Sequence, residues 1–259
     1  MPRNIQAVLF DLGNTLMYPH APWPPIFRQA GEALGEYLRS RKIDIDSSLF
    51  SDEFRQRLNQ YYIERERSMI ETSSLAVLHN LLVEKGHDNL PPNLLRAALD
   101  QYYAVTQQNW LLEEDAASTL EKLRSNAFRI GLVSNASDSR DVLALVDKFG
   151  IGEYFDFTLV SVDCGYRKPH PRIFELALSN WGYLPDEIAM VGDRLDADIG
   201  GARPLGIYTI WIKRRAKEIA PSTSSPSGDV AADAPTVPSP NATVQTLEEI
   251  PPLLLQQCE

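Results

Sequence analysis

The amino-acid sequence predicts an α/β fold: an open, doubly wound parallel sheet with a helical domain inserted after its first strand. Three observations predict it. Five short, continuously apolar segments, at 6–10, 128–134, 157–162, 188–191 and 207–212, have the length and composition of strands buried on both faces. Helical patterns follow three of them, at 139–149, 171–181 and 197–205, which is the strand–helix alternation of a parallel sheet. The first and second strands are separated by more than 100 residues without a convincing strand pattern.

Taken in order, the first strand ends where Asp11 interrupts the apolar run. Helix patterns then occupy 25–41, 51–71, 75–85 and 93–109, punctuated by Gly86 and the Pro91-Pro92 pair. A further helix at 114–125 leads back to the second strand. The expected organisation is therefore a discontinuous α/β core, 1–17 and 111–259, and a helical domain, 18–110. Near the other end, residues 221–240 hold five prolines and five serines, with no aromatic and only two valines as large aliphatics. Such a segment has almost nothing to bury, so 216–242 is expected to be a disordered loop. Apolar character returns at 242–255, which is expected to dock on the core.

The chain has 259 residues, 44% apolar and 23% charged, ordinary values for a globular protein with a core of useful size. Aspartate and glutamate outnumber lysine and arginine by 35 to 25, a net charge of −10. That argues against general binding to nucleic acid or to an anionic membrane surface. An anionic substrate would need a local positive pocket or a metal ion. Cys164 and Cys258 are far apart and imply no disulfide framework. The opening apolar run is too short for a signal peptide and no run is long enough to span a bilayer, so a cytoplasmic protein is expected.

In open α/β sheets, reactive groups collect at the carboxyl ends of the strands. Four such ends carry polar residues here: Asp11-Leu12-Gly13-Asn14-Thr15, Ser134-Asn135, Arg167-Lys168-Pro169, and Gly192-Asp193 with Asp198 five residues beyond. Together they offer carboxylates, a hydroxyl and a lysine around one rim. Asp11 and Asp193 could share a hard divalent cation such as magnesium. That cation and Lys168 would neutralise a phosphoryl group. Asp11 could attack phosphorus to form an aspartyl phosphate.

This ordered set resembles the four motifs of the haloacid dehalogenase superfamily of hydrolases, whose core is Rossmann-like. The resemblance covers about 5–18 and 111–213, with the helical insertion where that family carries a small all-helical cap. It implies Asp11 as nucleophile, Thr15 as support of its loop and Ser134 as the phosphoryl-binding hydroxyl, with Asn135 beside it. It implies Lys168 as the charge-balancing lysine. It also implies Mg²⁺ held by Asp11, the Gly13 carbonyl and Asp193, with Asp198 in support. The implied activity is a magnesium-dependent phosphatase acting on a small phosphorylated metabolite.

One position departs from the pattern. Gly13 falls where the family usually has a second aspartate, the general acid/base, whose contribution is typically about 10²–10⁴-fold. A haloacid dehalogenase, a phosphonatase using Lys42 or Lys85 of the cap, and a catalytically impaired binding or regulatory protein therefore stay open as alternatives. His20, just after the nucleophile loop, is the histidine best placed to reach over the site. His79, His87 and His170 read as structural. Asp196 reads as a helix cap, and Arg65 and Arg67 as part of a solvated charged face.

Overall fold

The computed structural model describes residues 4–215 and 239–256. Its strands are β1 (Ala7–Phe10), β2 (Met17–Pro19), β3 (Trp110–Leu112), β4 (Arg129–Ser134), β5 (Phe157–Val160), β6 (Ile188–Gly192), β7 (Tyr208–Ile212) and β8 (Ala242–Val244). Six of them form one sheet in the order β5-β4-β1-β6-β7-β8, every neighbouring pair parallel. From β1 the chain builds outward to β4 and β5, then crosses back to β6, β7 and β8. The switch in direction falls beside β1, where Phe10 lies in register with Leu132 on one side and Val191 on the other. The carboxyl ends of β4, β1 and β6 are thus three adjacent positions on one rim.

Two apolar layers cover the sheet, as the period-2 alternation of a strand requires. Val8 and Phe10 face α5 (Ala116–Ser125), α6 (Ser139–Lys148) and α10 (Ile250–Leu255) through Leu120, Leu123, Val142, Leu145 and Leu254. Ala7 and Leu9 face the opposite layer, with Ile173, Phe174 and Ala177 of α8 (Pro171–Leu178) and Ala202 of α9 (Gly200–Ala202).

The inserted stretch forms α1 (Trp23–Ser40), α2 (Ser47–Ser68), α3 (Ser74–Glu84) and α4 (Pro92–Gln108). These helices share a core of their own, with Leu34, Leu38, Phe54, Leu78, Leu82 and Leu99 fully buried. Their starts follow local chemistry: Asp46 accepts from the N–H groups of Ser48 and Leu49, and Ser73 from Ala76. Prolines occupy the first turns of α1 and α4, where a missing N–H costs nothing. The stretch leaves and rejoins the core through an antiparallel β2–β3 ladder, Met17 opposite Leu112 and Pro19 opposite Trp110. These strands went unread because three residues are too few to display alternation.

Three boundaries differ from expectation. The strand expected at 157–162 stops at Val160, and the chain turns into α7 (Ser161–Cys164), ended by Gly165 in the left-handed region. The helix expected at 197–205 is broken into a π turn at Leu195–Ile199, α9, and a 3₁₀ turn at Arg203–Leu205. Gly200-Gly201 and Pro204 weaken a regular helix there. Ala242, the last residue of the loop expected at 216–242, already belongs to β8, and Asn241 before it accepts from the Thr209 N–H and hydroxyl. Most of that loop, 216–238, lies outside the described residues, as does Cys258. Among the described residues, no helix is long and apolar enough to cross a membrane.

Candidate active site

The loop that carries Asp11 is a tight turn at the end of β1. The Asp11 N–H donates to the Val191 carbonyl at 2.9 Å, which aligns the loop with β6. Asn14 sits at φ 60°, a conformation that asparagine tolerates better than most residues, and its N–H closes the turn on the Met17 carbonyl at 2.6 Å. Asp11 is left at the rim, 9% exposed. Thr15 is buried beneath the loop, and its hydroxyl has no hydrogen-bond partner among the described residues.

Lys168 is buried and has three oxygen partners. Its Nζ donates to Asp11 Oδ1 at 2.6 Å and to the Val133 carbonyl at 2.7 Å, and lies 2.8 Å from Asp198 Oδ1. Burial pulls the ammonium pKa down, but the Asp11 and Asp198 carboxylates outweigh it and hold it above the ordinary lysine value. Asn135 braces the lysine from the end of β4. Its side chain accepts from the Lys168 N–H and donates to the Lys168 carbonyl, both at 2.8 Å. The side-chain amide of Asn135, expected beside the phosphoryl-binding Ser134, thus engages the lysine loop. Ser134, buried at the end of β4, lines the cavity beside it.

Asp193 and Asp198 complete the cluster. Asp198 Oδ2 accepts from the Arg194 N–H at 3.0 Å. A β-carbon on Gly192 would come within 2.2 Å of that same oxygen, so only glycine lets the loop close on Asp198. Trp211 fixes the other side, its indole N–H donating to the Asp193 carbonyl at 2.8 Å. Ligand oxygens of Asp11, Asp193 and Asp198 all lie within 4.8 Å of one another. Asp193 Oδ2 is buried without a hydrogen-bond donor among the described residues. Burial first, then the charges of Asp11 and Asp198, push the Asp193 carboxyl up to about 8. Three buried carboxylates facing one lysine are short of positive charge, and a divalent cation fits that deficit.

These groups open into a cavity of about 240 Å³. Its far wall carries residues that sequence reading missed: Trp110, Arg65, Arg167 and Arg194. Trp110 stands edge-on to Trp23 and bounds the space over Gly13, where a β-carbon would lie 3.4 Å from its ring. Arg65 is no solvated residue. It pairs with Glu71 at 2.9 Å, lies over the Tyr62 ring, and has a side chain only 15% exposed. Glu71 is fully covered. It also accepts from Tyr61 and from the Ser161 hydroxyl at 2.7 Å, and Arg167 ties α2 to the lysine loop through Glu66 at 2.8 Å. The Tyr61 hydroxyl is pushed up to about 12 by burial and by that carboxylate.

Two other expectations fail. His20 is exposed and does not line the cavity; its backbone N–H donates to the Asn109 carbonyl. Asp196, read as a helix cap, pairs chiefly with the Arg194 guanidinium and also accepts from the Ala197 N–H, within a π turn rather than at the start of a regular helix.

Known proteins resemble the chain over most of its length. The family model for haloacid dehalogenase-like hydrolases matches residues 5–206. A ribulose-1,5-bisphosphate 5-phosphatase of Halopiger xanaduensis is 30% identical over 96% of this chain and 98% of its own. A glyceraldehyde 3-phosphate phosphatase of Methanopyrus kandleri is 30% identical over 89% of this chain and 94% of its own. Among solved structures, a 2-haloacid dehalogenase of Pseudomonas syringae superposes with a TM-score of 0.64 at 24% identity, covering 97% of this chain and 99% of the other. At that identity the likeness is one of fold.

Proposed function

The chain belongs to the haloacid dehalogenase-like hydrolase family, and from that premise we propose that it is a magnesium-dependent phosphatase of a small phosphorylated metabolite, working through an aspartyl phosphate on Asp11. The observation that carries the reading is the buried triad of Asp11, Asp193 and Asp198 around Lys168. Displacement of halide from carbon needs no metal, so a dehalogenase gives no reason for that cluster of like charges. A phosphonatase would need a lysine from the helical stretch inside the cavity, and neither Lys42 nor Lys85 lines it; Lys85 pairs with Glu53 on the surface. The full set of nucleophile, lysine and acids argues equally against an impaired binding protein. The cavity volume and the names of the curated relatives both favour a small phosphorylated substrate.

In this reading Asp11 attacks phosphorus through the oxygen not held by Lys168. Lys168 holds that carboxylate in place and offsets charge as the phosphoryl group arrives. The Ser134 hydroxyl donates to a phosphoryl oxygen. Asp11, the Gly13 carbonyl and Asp193 would hold magnesium, with Asp198 in support; when bound, the ion supplies the positive charge that lets a phosphate dianion approach a carboxylate. The four helices act as a cap that shields the phosphoenzyme from bulk water.

Magnesium at about 100 times its dissociation constant should stabilise the protein by about 2.7 kcal/mol. That is a rise of roughly 5–10 °C in melting temperature for a chain of this size. Asp193→Ala should lose most of that rise together with phosphate release. The same magnesium-induced shift in the variant as in wild type would remove Asp193 from the metal site.

A further inference from the structure

Gly13 leaves the nucleophile loop without a carboxyl two residues after Asp11, so the leaving oxygen must take its proton from elsewhere. His20 is exposed and does not line the cavity. Among the described residues, one carboxyl outside the metal triad lines the cavity that Asp11, Gly13 and Trp110 share: Asp141, in the first turn of α6. We propose that Asp141 is the general acid–base that stands in for the missing aspartate, an assignment that rests on the phosphatase reading above.

The surroundings of Asp141 suit a proton donor. Gln107 of α4 donates to its Oδ1 at 2.9 Å and fixes the carboxyl. Its Oδ2 has no protein partner among the described residues. The charged and titratable groups around it are already engaged or neutral. Asp138, at the start of the same helix, pairs with Arg96 of α4. Arg96 also holds Asp100, which Arg140 approaches at 3.7 Å. Tyr102 and Tyr103 of α4 are buried, and burial raises the pKa of Tyr62 of α2 above its ordinary value. Arg65, across the cavity, is paired with Glu71. No cation is therefore dedicated to Asp141. Burial pushes its carboxyl up to about 7, with Asp138 adding to the rise and Gln107 and Arg96 opposing it. A carboxyl in that range holds a proton near neutrality yet can release and regain it within one cycle.

The step balances. As the bond between Asp11 and phosphorus forms, the phosphorus–oxygen bond to the substrate breaks. The electron pair stays on the leaving oxygen, which takes the Asp141 proton and departs as an alcohol. Water then bonds to phosphorus and passes a proton to the Asp141 carboxylate. The bond to Asp11 breaks, returning a free carboxylate and phosphate.

The test compares glycerol phosphate, whose alkoxide needs a proton, with p-nitrophenyl phosphate, whose phenolate leaves without one. Asp141→Asn should lower kcat/KM for the alkyl ester by about 100-fold, within the range that general acid catalysis supplies. The aryl ester should lose at least about tenfold less. The wild-type profile for the alkyl ester should fall above about pH 7, because the donor is lost as Asp141 ionises, and the variant should lack that limb. Equal losses on both esters, or a wild-type profile flat from pH 6 to pH 9, would overturn the assignment of Asp141 alone. Absence of phosphate release from either ester by the wild-type enzyme would overturn the phosphatase reading and the assignment together.

Discussion

Asp11→Asn should abolish phosphate release while leaving the fold standing. A neutral amide cannot attack phosphorus, and it offers the metal a poorer ligand. The fold should survive because the substitution is isosteric, and because Lys168 keeps Asp198 and the Val133 carbonyl as partners. Circular dichroism should match wild type, and turnover of p-nitrophenyl phosphate should fall below about a hundredth of it. Activity above that level, in a preparation free of contaminating phosphatase, would count against Asp11 as nucleophile.

Lys168→Met should cost both stability and activity. The lysine is 2% exposed and lies between two carboxylates. Taking away one partner of a buried ion pair costs about 3–5 kcal/mol, because the remaining charge has neither water nor a counter-ion. For a chain of this size that is roughly 10 °C in melting temperature. Phosphate release should fall on the order of 10³-fold, the scale of losing one charge-stabilising group in a closed site. Thermal melting of metal-free protein and phosphate release with magnesium check the two effects separately. A variant that melts within about 2 °C of wild type would show that the pair is not the buried one described.

Reading the sequence placed correctly the residues that stand at the end of a buried strand. Asp11, Ser134 and Asp193 follow apolar runs, and adjacent parallel strands bring such ends together whatever fills the loops. Lys168 belongs to the same logic at one remove, since it follows the turn after β5. It did not extend to the far wall of the cavity. The second half of α2 is so rich in charge that it reads as a solvated face, yet Arg65 lines the cavity and pairs with Glu71, and the exposed Glu66 pairs with the buried Arg167. Nothing in the local pattern separates a charge that water solvates from one that a distant residue pairs. Trp110 was legible only as an aromatic where the inserted stretch returns, and Asp141 only as an acid in the first turn of a helix. The role of each depends on residues that meet it only after folding: Gly13 for Trp110, Gln107 for Asp141. Asn135 shows the converse. Its place beside Ser134 was legible, but the bonds from its side chain to the backbone of Lys168 were not.

The central claim is attack of Asp11 on phosphorus, and acid-quenched single turnover tests it most directly. Enzyme in excess over a phosphate ester is stopped in acid, digested and mapped by mass spectrometry. The account predicts a phosphoryl group on the peptide that carries Asp11, present in wild type and absent from Asp11→Asn. A phosphoryl group on any other residue, an alkyl ester on Asp11, or release of phosphate with no labelled peptide at any quench time would contradict it.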